Sequence, residues 1–249
     1  MNLILCVSDR EPAQSILPLI KKLTENSNLS LSAVVSETSY FQKVLGYVNN
    51  TKPIHIINSK SNERKILEVI NKLNIDFLIS IQYKWVLSSR VIKSVNGRAF
   101  NFHYGKLPDY RGHHLSIHSI LNNEKSFSTT CHWMVEVVDR GYIAYEAKEL
   151  IEETDTSFNL QKKAVKHTLE LFEKLLFNIL FDKAIPKYQI TGKGNYYSIN
   201  SIQDQKEIHS LSNFSEIDRK ARAFYFPPHE PAYFIKKQKK YYVLPSYKY

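Results

Sequence analysis

Short, largely apolar runs recur through the first hundred residues: 2–7, Leu31 to Val35, Ile54 to Ile57 and 76–81. Runs of this length, too short for helices and apolar on both sides, read as strands buried on both faces of a sheet. Between them lie segments of helical period. Residues 13–25 carry Ile16, Leu17, Leu19, Ile20 and Leu23, and Glu63 to Leu73 repeats the pattern. Ser8-Asp9-Arg10-Glu11-Pro12 reads as a turn and helix start, since proline is tolerated in a first helical turn. Buried strand, helix, buried strand dictates an α/β fold: a Rossmann-like, mostly parallel sheet with helices on both faces. The first turn has no glycine fingerprint, which argues against the usual dinucleotide site.

Further along, Arg98 to His103 predicts another strand, Phe127 to Val138 a long one, and Gly141 to Leu150 its partner. Ser157 to Leu180 predicts the longest helix, with Leu160, Ala164, His167, Leu171, Leu175 and Ile179 on one stripe and His167 at its boundary. After Pro186 the character changes to short aromatic segments, turn signals and a helical patch from Glu216 to Ala223. Tyr233 to Ile235 and Tyr241 to Leu244 read as a β-hairpin. The expected organisation is a domain over 1–185 and a small C-terminal α+β region over 186–249 that ends in this hairpin.

A formal net charge of +10 favours anionic partners, although most single lysines in such a chain are plain solvated surface. Only Cys6 and Cys131 are present, with no Cys-x-x-Cys or Cys/His metal spacing, so a buried free thiol at Cys6 and no metal are expected. The N-terminal residues lack a charged leader followed by a long apolar run, and no stretch approaches a membrane span. The expectation is a cytoplasmic protein with no membrane and no nucleic-acid partner.

Chemistry concentrates in Asn101-Phe102-His103-Tyr104-Gly105-Lys106-Leu107-Pro108-Asp109-Tyr110-Arg111-Gly112. Side chains two apart on a strand share a face, so Asn101 and His103 project together at a strand end, where open α/β sheets bind ligands. Gly105, Pro108 and Gly112 let the following loop bend tightly. An isolated Asn-x-His is more often a structural pair than a site, and Val138-Asp139-Arg140-Gly141-Tyr142-Ile143 alone is a common turn sequence.

Taken together and in this order, Asn101/His103, Leu107 to Gly112 and Asp139/Gly141/Ile143 resemble the formyltransferases that use 10-formyltetrahydrofolate. Those enzymes carry Asn-x-His, a Leu-Pro-x-Tyr/Phe-Arg/Lys-Gly loop and Asp-x-Gly-x-Ile. The chain departs from them after His103, where Tyr104-Gly105-Lys106 replaces the usual Pro-Ser-Leu, so the acceptor side is expected to be specialised. Residues 186–249, with Arg222-Ala223-Phe224, Pro227-Pro228 and Ala232-Tyr233, resemble the C-terminal part of the sugar N-formyltransferases that act on nucleotide-linked (dTDP) amino sugars.

The resemblance implies attack of a neutral amine on the formyl carbon of the folate donor, with Asn101, His103 and Asp139 as catalytic residues. Asn101 donates to the developing oxyanion. His103 donates there and passes a proton to the departing folate nitrogen. Asp139 holds His103 and accepts the amine proton. It also implies folate contacts from Trp85, Val86, Leu87, Val135 and Glu136, with Trp85 equally compatible with plain core. Acceptor contacts are expected from Tyr83, Lys84, Tyr104, Tyr110 and Arg111. Arg222 or a neighbouring lysine is expected to hold the diphosphate, and Phe224, Tyr225 or Phe226 to stack on the base, unless these aromatics form a small core. Among His113, His114 and His118, the reading is loop or helix surface, with one touching the sugar. The expected acceptor is dTDP-4-amino-4,6-dideoxyglucose for O-antigen or another surface polysaccharide, with 3-amino isomers next and methionyl-tRNA formyltransferase after them. A folate- or nucleotide-binding module without catalysis is the non-enzyme alternative. The hairpin implies a homodimer, because an isolated two-stranded ribbon is marginal in water.

Overall fold

The computed structural model of the protein describes residues 1–7, 15, 16, 18–20, 22, 27–36, 54–58 and 63–246. The expected turn over 8–12 lies outside the described residues. Of the helix expected over 13–25, residues 15, 16, 18–20 and 22 are helical, and the others lie outside them.

A seven-stranded sheet organises the chain. Its strands are β1 (Asn2–Val7), β2 (Ser30–Ser36), β3 (His55–Asn58), β4 (Phe77–Ile81), β5 (Ala99–His103), β7 (Ser126–Trp133) and β8 (Ile143–Leu150), in spatial order β3-β2-β1-β4-β5-β7-β8. The pairs β2–β3, β1–β2, β1–β4 and β4–β5 are parallel, and β7 joins β5 antiparallel. The Rossmann-like, mostly parallel sheet expected from the apolar runs is the observed one. Strands β1 and β4 are buried at nearly every position, the condition that makes such strands apolar without alternation.

Helices cover the sheet. Ile66 and Ile70 of α1 (Glu63–Leu73) and Val91 and Ile92 of α2 (Ser89–Ser94) share a core cluster with Ile4, Cys6, Ala33, Val35, Leu78 and Ala99. Phe100 and Phe102 alternate to the face opposite Ala99, where Phe102 meets Phe172 of α4 (Ser157–Leu180), with ring centroids 5.9 Å apart. The apolar stripe expected on α4 is buried, and His167 sits half-buried beside it. No helix among the described residues is long and apolar enough to cross a membrane.

The backbone groups into two compact units. One comprises residues 1–103, 130–146 and 167–191, and the other comprises 104–129, 147–166 and 192–249. Residues after 191 thus share a unit with two earlier segments. In that second unit, β6 (Tyr110–Gly112) pairs parallel with β9 (Asn195–Tyr197), while α3 (Leu115–Leu121) and α5 (Phe214–Ala223) help enclose a core of Tyr104, Leu115, Phe127, Leu160, Ile208 and Phe224.

The hairpin forms from β10 (Ala232–Lys236) and β11 (Lys239–Val243). Its turn is only two residues, Lys237 and Gln238, with φ of 48° and 62°. Positive φ at both central positions is the type I′ requirement, met here without the usual asparagine or glycine.

The expected strand from Phe127 to Val138 is too long. β7 ends at Trp133, where the Met134 amide donates to the Ala99 carbonyl at 2.8 Å and the chain turns away. Residues 135 to 138 look strand-like because of Val135, Val137 and Val138, yet these three are exposed.

Cys6 and Cys131 are wholly buried and free. Burial pushes the Cys6 thiol from 9.0 up to about 12 and raises Cys131 further. The folded chain therefore holds two protons that the unfolded chain releases, so these thiols contribute stability below pH 9 that is lost as pH rises above it. Neither should react with a thiol reagent in the native protein, and both should react after denaturation. A fast-reacting native thiol would contradict this packing.

Candidate active site

The pairing of β5 with β7 sets Asn101 directly opposite His132. Directly opposed residues in an antiparallel pair project to the same face, and His103 lies there too, two residues from Asn101. The Asn101 side-chain nitrogen is 3.1 Å from His132 Nε2. His132 Nδ1 is 3.0 Å from the Trp133 carbonyl, which can only accept, so Nδ1 carries a proton. In neutral His132, Nε2 therefore presents its lone pair to the Asn101 amide. With the amide turned over, its oxygen would instead accept from a protonated Nε2.

Asp139 completes the cluster. Its backbone lies in the left-handed region at φ 55°, a conformation that aspartate tolerates better than most residues. The Arg140 amide closes the preceding turn on the Val137 carbonyl at 3.3 Å. Two residues on, Gly141 lies so close to the Trp133 carbonyl that there is no room for a Cβ. This tight return aims one carboxylate at two imidazoles. Asp139 Oδ2 is 3.6 Å from His103 Nδ1, and Oδ1 is 3.4 Å from His132 Nε2. His103 is 6% exposed, His132 2% and Asp139 7%. No group of three or more His, Cys, Asp or Glu side chains is placed so as to hold a metal ion among the described residues.

His132 was not singled out from sequence. The signal was a parity one: once Asn101 faces a site, the residue opposite it on the antiparallel neighbour faces that site as well. That register is a tertiary fact, which the sequence pattern of β7 does not carry.

The other expected site residues divide between the units. In the first, Tyr83 packs partly against the core and Lys84 is exposed. Trp85 is 49% exposed, Val86 is more so, and Leu87 is buried. Val135 and Glu136 are exposed. Trp85, Val86, Val137 and Val138 thus present apolar side chains to solvent on two loops, the kind of surface that marks a binding site when contiguous.

In the second unit, Tyr104 and Tyr110 are buried. Arg111 donates to the Lys193 carbonyl at 3.2 Å and lies over the Tyr196 ring. Arg222 donates to Asp218 at 2.8 Å and to the Asp155 carbonyl at 3.2 Å. Phe224, 2% exposed, belongs to the core and has no ring face to offer a base. Tyr225 and Phe226 are half-buried, and Phe226 meets Phe158 edge-on at 5.5 Å.

His118, expected at a surface, is instead buried. Its Nε2 is 2.7 Å from Ser201 Oγ, and its ring stacks on Tyr197 at 4.0 Å. Burial lowers its pKa to about 4, so it stays neutral near pH 7.

Residues 2–176 match the sequence model of the family described as formyl transferase. The chain is 28% identical over 193 residues to the GDP-perosamine N-formyltransferase of Brucella melitensis, covering 78% of this chain and 73% of that one. Among solved structures, a 4-N formyltransferase from Francisella tularensis superposes with a TM-score of 0.79 at 24% identity, covering 99% of this chain and 98% of the other. An N-formyltransferase from Helicobacter canadensis, solved with folinic acid and dTDP-3-aminofucose, gives 0.73 at 18% identity over 96% and 86% of the two chains. At these identities the structural likeness concerns the fold.

The Asp139 turn should depend on the missing Cβ two residues later. Gly141→Ala must push the chain off the Trp133 carbonyl, lowering stability by about 1–3 kcal/mol and shifting the imidazole NMR signals of His103 and His132. Unchanged denaturation midpoint and unchanged imidazole signals would show that the turn does not place the carboxylate.

Proposed function

From its place in the formyl transferase family, to which this chain belongs, we propose that the protein moves the formyl group of 10-formyltetrahydrofolate onto the amine of a nucleotide-linked amino sugar. The observation that carries the proposal is the buried Asn101–His132–Asp139–His103 cluster, whose polar members fit acyl transfer to an amine. The folate supplies the activated formyl group. Trp85, Val86, Leu87, Val135 and Glu136, on the two loops that expose apolar side chains, would hold its ring system.

Asn101 donates from its side-chain amide to the oxygen on which charge develops. His103 carries a proton toward the departing folate nitrogen, and Asp139 orients it and takes up the proton that the amine sheds. His132, with Nδ1–H fixed on the Trp133 carbonyl, orients Asn101 and offers Nε2 as a second station for that proton.

The acceptor proposed first is dTDP-4-amino-4,6-dideoxyglucose, destined for O-antigen or another surface polysaccharide. The relative named for GDP-perosamine keeps guanine open beside thymine, and the structure solved with dTDP-3-aminofucose keeps the 3-amino isomers next in line. On the acceptor side we assign Tyr83, Lys84 and Arg111 to sugar and phosphate contacts, whereas Tyr104 and Tyr110, expected there too, belong to the core. Tyr225 and Phe226, rather than Phe224, are assigned as the base platform, and Arg222 positions that segment through Asp155.

His103→Asn and Asp139→Asn should each lower kcat by about 10²-fold or more, with calorimetric affinity for the nucleoside diphosphate unchanged. Tyr225→Ala or Phe226→Ala should do the reverse, weakening that affinity by about tenfold and sparing kcat. Near-normal turnover in either polar variant would refute the proton path.

The hairpin exposes Ile235, Tyr241, Tyr242 and Leu244, and we propose that it pairs two subunits. Light scattering should give a dimer that Tyr242→Glu converts to monomer. A wild-type monomer at micromolar concentration would exclude the pairing.

A further inference from the structure

Apart from the histidine–carboxylate cluster, the second unit contains a cleft of about 300 Å³. That volume lies at the lower end of the range of small-molecule sites and is many times what one water occupies. Ser126 and Ser128 of β7, Ser119 of α3, Lys148 of β8 and Tyr197 of β9 all line it.

Ser128 is the observation that asks for a ligand. It is 2% exposed, and its Oγ has no hydrogen-bond partner. Buried hydroxyls are paired in the large majority of cases, so an unpaired one lining a cavity marks a bond for a guest to supply.

The groups around Ser128 are already oriented. Asn122 uses its amide protons on the hydroxyls of Tyr110 and Tyr197, each at 3.0 Å. Tyr110 donates onward to Glu124 Oε1 at 2.7 Å, and burial holds its phenol well above the usual tyrosine range, so it remains a donor. The Tyr197 ring is fixed by stacking on Tyr110 at 5.4 Å and on His118 at 4.0 Å. Because its oxygen accepts from Asn122, its own proton is left to donate. Glu124 keeps a second carboxylate oxygen to accept.

Charge decides the ligand class. Two lysines, Lys106 and Lys148, face two carboxylates, Asp109 and Glu124, and Lys106 is already bound to Asp109 at 2.7 Å. The lining is electrically balanced, which disfavours a phosphate or a carboxylate. What remains is a set of hydroxyl donors beside an acceptor, the complement of adjacent hydroxyl groups that accept and donate together.

We propose that this cleft is a saccharide site, taking a neutral sugar unit whose neighbouring hydroxyls accept from Ser128 and Tyr197 and donate to Glu124. The proposal does not rest on the acceptor named above, and its readout is binding rather than formyl transfer, so either can fail alone.

The test is saturation-transfer difference NMR on the whole protein, with glucose and mannose as probes and inorganic phosphate as the anionic control. Sugar signals should appear with the unmodified protein and resist phosphate. They should weaken by about tenfold in Ser128→Val, which removes the unpaired hydroxyl and fills space, and in Tyr197→Phe, which keeps the stacked ring. Thermal melts check both variants; losing an unsatisfied hydroxyl should leave Ser128→Val as stable as the parent or more so. Displacement of the probe by the nucleotide-linked amino sugar, but not by the nucleoside diphosphate, would identify the guest as the linked sugar. Failure of both to displace it would identify a free sugar or glycan, and either result keeps the saccharide assignment. No sugar signal, signals undiminished in both variants, or displacement by phosphate would overturn it.

Discussion

One buried carboxylate ties together the polar cluster of the first unit. Asp139 lies within ion-pair distance of His103 on one side and His132 on the other, in surroundings almost closed to water. A carboxylate buried so deeply is costly unless it is paired, and His103 Nδ1 lies 3.6 Å from it. The surrounding backbone serves that placement. β5 delivers Asn101 and His103 to one face, β7 brings His132 opposite Asn101, and a left-handed residue with a close-packed Gly141 returns the acid to them. The parallel core of the first unit supplies the rigid frame that such a cluster needs.

The two units solve different problems. The first is an apolar sheet with its polar cluster beside one strand pair. The second buries Tyr104, Tyr110, His118 and several serines, and hydrogen bonds join side chains at the edge of that core: Asn122 with Tyr110 and Tyr197, His118 with Ser201, and Lys163 with Asp155. Buried polar networks specify one arrangement more sharply than an apolar core does, provided their members are paired. Ser128 Oγ, without a partner and lining the cleft, is a place where that polar lining is open.

The fold was legible where physics is local. Strands buried on both faces must be apolar, so β1, β2 and β4 were plain in the sequence, and the stripe of α4 announced a buried face. What failed was non-local. Val135, Val137 and Val138 have strand-like side chains, and nothing local shows that the chain turns at Trp133. The C-terminal hairpin, by contrast, was read from its two aromatic strands, although its turn residues Lys237 and Gln238 include no glycine or asparagine. Asn101, His103 and Asp139 were picked out through the resemblance of their motifs to the formyltransferases. His132 was not, because its membership depends on register across β5 and β7. His118 was misplaced for a related reason: its burial comes from Tyr197 and Ser201, some eighty residues away in the chain.

Formyl transfer itself is the central claim, and it is tested most directly by mass spectrometry of the acceptor. The protein would be incubated with 10-formyltetrahydrofolate and a panel of thymidine and guanosine diphosphate amino sugars bearing the amine at the 3- or 4-position. The account predicts one acceptor converted to its N-formyl derivative, heavier by one formyl group replacing a hydrogen, with tetrahydrofolate released in equal amount. If no amino sugar on the panel gains a formyl group, while methionyl-tRNA or no acceptor at all does, the assignment of a sugar acceptor is contradicted.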